Sequence, residues 1–180
     1  MVIGEHDGFV ALHRPDDWPL IRRVLSTFEP RYVVELGTHL GGFASFLAEA
    51  VRPWGGWVVT VDKVRLPESI GLEGVHPNLR FWRVDVLDHP VPWITKILSW
   101  PDVALYCDDG NKERELELYA PFMGPRGLVG VHDWGTETRP EVACPLMDRL
   151  GFQMVFREDF EKLAHPEWYP HSMTRFWRRP

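Results

Sequence analysis

The stretch Arg31-Tyr32-Val33-Val34-Glu35-Leu36-Gly37-Thr38-His39-Leu40-Gly41-Gly42 decides the fold. Residues 31–36 form a short apolar run that reads as a buried strand. From Gly41 to Val51 the pattern is helical, and Pro53 with Gly55-Gly56 stops it. Strand, glycine loop and helix in that order open a βαβ unit. Gly37 lets the chain turn sharply, and Gly41 or Gly42 lets backbone approach a ligand at the helix N-terminus. The spacing is Glu-x-Gly-x-x-x-Gly, not the Gly-x-Gly-x-x-Gly of dinucleotide binding. An acid before the first glycine suits a ligand carrying an ammonium and would repel a diphosphate. An ordinary tight βα turn is the plain alternative.

Outward from this unit, short apolar runs keep alternating with helical patterns. Residues 57–61, 79–84, 103–107 and 127–131 read as strands. Helices are expected from Asp17 to Phe28, Val91 to Leu98, Lys112 to Phe122 and Pro140 to Leu150. Phe152–Arg157 and Thr174–Arg178 read as a final antiparallel pair joined by a long loop carrying Trp168 and Tyr169. The fold class is α/β, a mostly parallel sheet with helices on both faces.

The chain has 180 residues, room for one domain (1–180), with an N-terminal segment (1–14) and a candidate substrate lid (159–173). Lys plus Arg is 20 against 26 Asp plus Glu, a net charge of −6 that lacks a nucleic-acid footprint. Two cysteines in unlike contexts, Cys107 and Cys144, suit a reducing compartment, so a cytoplasmic location is expected. No apolar run approaches the ~20 residues of a membrane span. Nine Trp and ten Phe are many for this length and would suit a homodimer.

Acids end three successive strands: Glu35, Asp62 and Asp85. Asp62 follows Gly37 by the distance at which a carboxylate accepts both hydroxyls of a ribose. Asp85 could accept from an adenine amino group while Val86 packs on the ring. Ligands in open α/β sheets bind at the carboxyl ends of strands, so the three acids point to one place. Each alone would be a helix cap or a solvated strand end.

These residues resemble a class I S-adenosylmethionine (SAM)-dependent methyltransferase over residues 15–180. The resemblance implies that Glu35, Gly37 and Gly41 hold the methionine part of SAM, Asp62 the ribose, and Asp85 with Val86 the adenine. Thr38 and Gly42 in the same loop, with Asp108 at a neighbouring strand end, complete the expected cofactor contacts. It also implies a seven-stranded Rossmann-like sheet in the order 3-2-1-4-5-7-6, counting residues 31–36 as the first strand, with the last pair antiparallel.

A further constellation is Cys107-Asp108-Asp109-Gly110-Asn111-Lys112 with His132-Asp133-Trp134-Gly135 after the next strand. Acids from two strand ends suit a hard divalent cation such as Mg²⁺, or, with His132 as an imidazole ligand, a transition metal, and either would acidify a substrate hydroxyl. The expected metal set is Asp108, Asp109, His132 and Asp133, and the catalytic candidates are Lys112, His132 and Asp109. A desolvated Lys112 with a lowered pKa, or His132, would serve as general base. Alternatively, Asp108 and Asp109 cap the next helix and His132 is a satisfied strand-end histidine.

The pairing is similar to metal-dependent O-methyltransferases of the catechol type and of the cephalosporin-hydroxylase-like and macrocin type. Leu118–Phe122, Pro125-Arg126-Gly127 and His132-Asp133 carry the second likeness, and Asp109 to Lys112 matches the Asp-to-Lys spacing of the first. His132-Asp133 departs from the usual Asp-Asn or Glu-Asp pair. The implied activity is methylation of a small-molecule acceptor with SAM as donor, at a hydroxyl by the closer likeness, with nitrogen and carbon acceptors open because fold does not decide chemistry. Two other classes remain open at this level. One is a nucleotide-dependent oxidoreductase using Asp62, and the other a binding module that keeps the fold.

Overall fold

The computed structural model describes residues 4–163 and 173–180. The chain begins with a hairpin, β1 (Gly4–His6) and β2 (Phe9–Ala11), followed by α1 (Trp18–Phe28). Then come β3 (Tyr32–Leu36), α2 (Gly42–Val51), β4 (Trp57–Asp62), α3 (Leu72–Val75) and β5 (Leu79–Arg83). The second half runs α4 (Pro92–Leu98), β6 (Val103–Cys107), α5 (Lys112–Tyr119), β7 (Leu128–Val131) and α6 (Pro140–Arg149). It ends with β8 (Gln153–Val155), α7 (Arg157–Lys162) and β9 (Arg175–Arg178).

Seven strands form one sheet in the order β5-β4-β3-β6-β7-β9-β8. Counted from β3, this is the expected 3-2-1-4-5-7-6. Strands β3 to β7 pair in parallel, and β9 runs antiparallel to both β7 and β8. Successive side chains leave a strand on opposite faces, so each face has its own core. Val33, Val58 and Tyr106 pack under α1, α2 and α7. Val34, Leu36, Val61 and Leu105 pack under α4, α5 and α6. In α1, Ile21, Val24 and Leu25 make the buried stripe, and Glu29 ends the helix in a left-handed conformation.

After β5 the chain crosses back to lay β6 on the far side of β3. The switch between β3 and β6 opens a crevice at the carboxyl ends of the strands.

Three features differ from the sequence expectation. The N-terminal segment is a hairpin folded onto α2, and its three-residue strands are too short for a periodic signal. The last outer strand is only Gln153–Val155, because Phe156 turns left-handed (φ 54°) and Arg157 starts α7. Phe160, expected in a loop, is buried in that helix. Of the expected lid (159–173), Trp168 and Tyr169 lie outside the described residues. Among the described residues, no helix is long and apolar enough to cross a membrane.

Candidate active site

A cavity of about 1110 Å³ opens at the carboxyl ends of β3, β4, β6 and β7. Its size matches or slightly exceeds ligand pockets of ~300–1,000 Å³. Gly37, Thr38, Gly41 and Asp62 line one side, Asp108, Lys112, His132 and Asp133 the other, and the chain from Val10 to Arg14 roofs it.

Gly37 sits where the carboxyl ends of β3 and β6 nearly touch. Its φ is +96°, and a Cβ there would lie 2.5 Å from the Asp108 carbonyl oxygen. Close backbone packing therefore requires this glycine. Gly42 is fixed for another reason: a Cβ would meet the hairpin backbone at Val10 and Ala11, 2.5–2.6 Å away. Gly42 also lines the cavity, so its missing side chain serves the hairpin contact while its backbone stays at the cavity wall. Asp62 faces the cavity, accepting from His39 N–H (2.9 Å) and Val64 N–H (3.0 Å). Each of its oxygens keeps a second lone pair for a hydroxyl.

Three expected cofactor contacts are absent from the cavity wall. Glu35 is 0% exposed and does not line the cavity, and burial pushes its carboxyl well above the usual range. Asp85 is exposed and accepts from Leu87 N–H, and Val86 belongs to the core on the other face. Trp134, which follows Asp133, packs edge-on against Trp177 (5.4 Å).

The polar centre of the cavity is built on Asp108. Its Oδ2 lies 2.7 Å from His13 Nε2 and its Oδ1 3.1 Å from His132 Nδ1. The two imidazoles stack with centroids 4.0 Å apart, and His13 also stacks on Phe43 at 3.8 Å. Burial alone would raise the Asp108 carboxyl, but His132 and His13 reverse this and hold it well below its ordinary range. Burial would likewise lower His132, yet Asp108 and Asp133 push it up to about 10. Burial and the charge on His132 take His13 down to about 4. The cluster thus holds one imidazolium, one neutral imidazole and a carboxylate between them.

Lys112 differs from expectation. Its ammonium lies 2.6 Å from Asp133, 2.8 Å from Glu137 and 3.8 Å from Asp108. Burial alone would lower its pKa, but these carboxylates raise it instead, so Lys112 is a fixed cation and not a base. Asp109, adjacent to Asp108, turns the other way. Burial and the nearby Asp62 raise its carboxyl to about 6, and its buried Oδ2 has no hydrogen-bond partner among the described residues. Asp109 therefore joins the Asp62 side of the cavity, apart from the other members of the expected metal set.

The ligand atoms that do converge belong to His13, Asp108 and His132, within 4.8 Å of one another. Two imidazoles and one carboxylate suit a transition metal and not Mg²⁺, which prefers oxygens. Lys112 already neutralises the carboxylates that a hard cation would use. The Mg²⁺ expectation does not fit this donor set. Sequence inspection missed His13, which lies in the aperiodic run Ala11-Leu12-His13-Arg14-Pro15, and Glu137.

The sequence matches no family model and no curated protein. Solved structures do match the fold. A methyltransferase from Geobacter sulfurreducens superposes with a TM-score of 0.65 at 15% identity, covering 94% of this chain and 82% of that one. A SAM-dependent O-methyltransferase from Thermotoga maritima gives 0.62 at 15% identity, covering 92% of this chain and 65% of that one. The O-methyltransferase from Bacillus cereus, in complex with SAH, gives 0.61 at 12% identity, covering 94% and 84%. The fold is that of a class I methyltransferase. Within a class I methyltransferase sheet, the cavity over β3 and β4 lies at the switch point where such a fold takes its ligand.

Proposed function

We propose that this protein transfers a methyl group from SAM to a hydroxyl of a small molecule. The observation that carries the reading is the cavity at the switch point, with Asp62 on one wall and the His13–Asp108–His132 cluster on the other. The fold neighbours, one of them holding SAH, support it.

The residues present fit the cofactor. Close backbone around Gly37 and Gly41 would take its methionine part, and Asp62 its ribose hydroxyls. Asp109, with a buried oxygen lacking a partner, offers an acceptor on the same wall. Bound SAM supplies an electrophilic methyl on a sulfonium, so the protein's main task is alignment.

The acceptor hydroxyl would lie against the other wall. Neutral His13 is the group there able to take its proton, while Asp108 fixes the ring and His132 offsets the carboxylate charge. Lys112 holds Asp133 in place. No step is assigned to a metal.

Arg14 narrows the ligand class. It is 8% exposed in the cavity roof, and its Nε and Nη1 have no partner among the described residues. A carboxylate, on SAM or on the acceptor, would satisfy them. The test is transfer of labelled methyl from SAM to hydroxyl acceptors with and without a carboxylate. Labelled ether product from at least one acceptor, lost in Asp108→Asn, is expected. No transfer to any acceptor despite SAM binding would favour a binding module instead.

A further inference from the structure

A second cluster of ligand-type side chains lies on the outer side of the hairpin, in a groove separate from the cavity described above. β1 ends at His6, the turn carries Asp7, and the segment between α3 and β5 carries His76. Asp7 Oδ2 lies 3.5 Å from His6 Nδ1 and 3.4 Å from His76 Nε2. The same two nitrogens face Ser45 Oγ on α2, at 2.9 and 2.7 Å. The serine hydroxyl can donate to one ring and accept from the other, so Ser45 bridges the two imidazoles. Two imidazole nitrogens and a carboxylate oxygen, from the end of β1, the turn after it and the segment after α3, gather around that hydroxyl within 4.8 Å of one another.

Two of the three spacings fit the edges of a metal polyhedron. Zinc–nitrogen and zinc–oxygen bonds of ~2.0–2.2 Å make tetrahedral edges of roughly 3.3–3.6 Å. The two measured carboxylate–imidazole separations fall in that range. All three ligand atoms lie within 4.8 Å of one another. His76 is 2% exposed and held in place by packing, whereas Asp7 is open to solvent and leaves a path for an ion. On the far side of the His6 ring, Nε2 faces the Glu49 carboxylate at 3.9 Å, the outer partner that metal-bound imidazoles commonly have. Glu49 is in turn paired with Arg22.

We propose that His6, Asp7 and His76 form a binding site for a divalent transition metal of the Zn²⁺ class. Soft-to-borderline nitrogen donors with one carboxylate favour such an ion over Mg²⁺ or Ca²⁺. Its role is structural: it ties the hairpin turn to α2 and to the segment before β5. The hairpin backbone at Val10 and Ala11 lies on Gly42 and leads to His13, so an ion at the turn fixes the roof of the cavity. This inference does not depend on the proposed methyl transfer.

Calorimetric titration of the full chain with Zn²⁺ alone tests it, alongside Asp7→Asn, His6→Gln and His132→Gln. Asp7 has φ 49°, a region that Asn adopts readily, so Asp7→Asn removes a ligand without straining the turn. The expected result is Zn²⁺ binding in the wild type and in His132→Gln, weakened at least tenfold in Asp7→Asn and in His6→Gln. Unchanged binding in both of those variants would overturn the proposal. So would loss of all binding in His132→Gln alone, which would place the ion at the His13–Asp108–His132 cluster, and so would no binding at millimolar Zn²⁺.

Discussion

His13 Nε2 lies 2.7 Å from Asp108 Oδ2, joining the segment after the hairpin to the end of β6 across 95 positions of sequence. This bond completes the far wall of the cavity and makes the N-terminal segment part of the site. His13→Ala is therefore expected to lower methyl-transfer kcat by ~100-fold, the scale of a lost general base. SAM affinity should stay within about twofold, because Asp62 and the Gly37 loop are untouched. Measuring kcat and SAM Kd on the same preparation separates the two effects.

The same cluster sets a pH dependence of stability. His132 is raised in the folded chain from 6.5 to about 10. Its contribution is fully present below pH 6.5 and is lost as pH rises through about 10. Asp133, lowered from 3.8 to about 2, contributes above pH 3.8 and loses this as pH falls. Denaturant midpoints should therefore fall on the alkaline side between pH 6.5 and about 10. His132→Gln should flatten that limb and also weaken the acid limb, because His132 is the main partner that holds Asp133 low, with Lys112 second.

Lys112 is expected to act as a structural cation. Lys112→Met leaves Asp133 without its ammonium and should cost about 2–3 kcal/mol. That is below the ~3–5 kcal/mol of a fully buried broken pair, because Asp133 and Glu137 keep contact with water. Urea denaturation checks the figure. The acid limb of the kcat profile should not move in any Lys112 variant that folds, since no lysine proton is exchanged.

Much of the sheet was legible because its signals are local. The run Val33–Leu36, the glycines after it and the acids ending the strands all lie within a few residues of one another. The sheet order followed from the resemblance that those residues carry. What escaped was set by contacts distant in sequence. His13 and Glu137 reach the site from segments with no periodic pattern. Asp108 and Asp109 are neighbours in sequence, but the backbone sends one to the imidazoles and the other towards Asp62. Lys112 reads as a base until Glu137 and Asp133 are seen around it. Glu35 matches a cofactor motif in sequence, yet full burial removes it from the cavity.

In the proposed function SAM binds over the carboxyl ends of β3 and β4, with Asp62 as its ribose anchor. Isothermal titration of the full chain with SAM measures this directly, with Asp62→Asn and the exposed, off-cavity Asp85→Asn in parallel. One SAM per chain is expected, with affinity weakened at least tenfold by Asp62→Asn, in line with ~1.5–3 kcal/mol for hydrogen bonds to a charged group, and within about twofold for Asp85→Asn. No binding at millimolar SAM, or equal losses in the two variants, would contradict the claim.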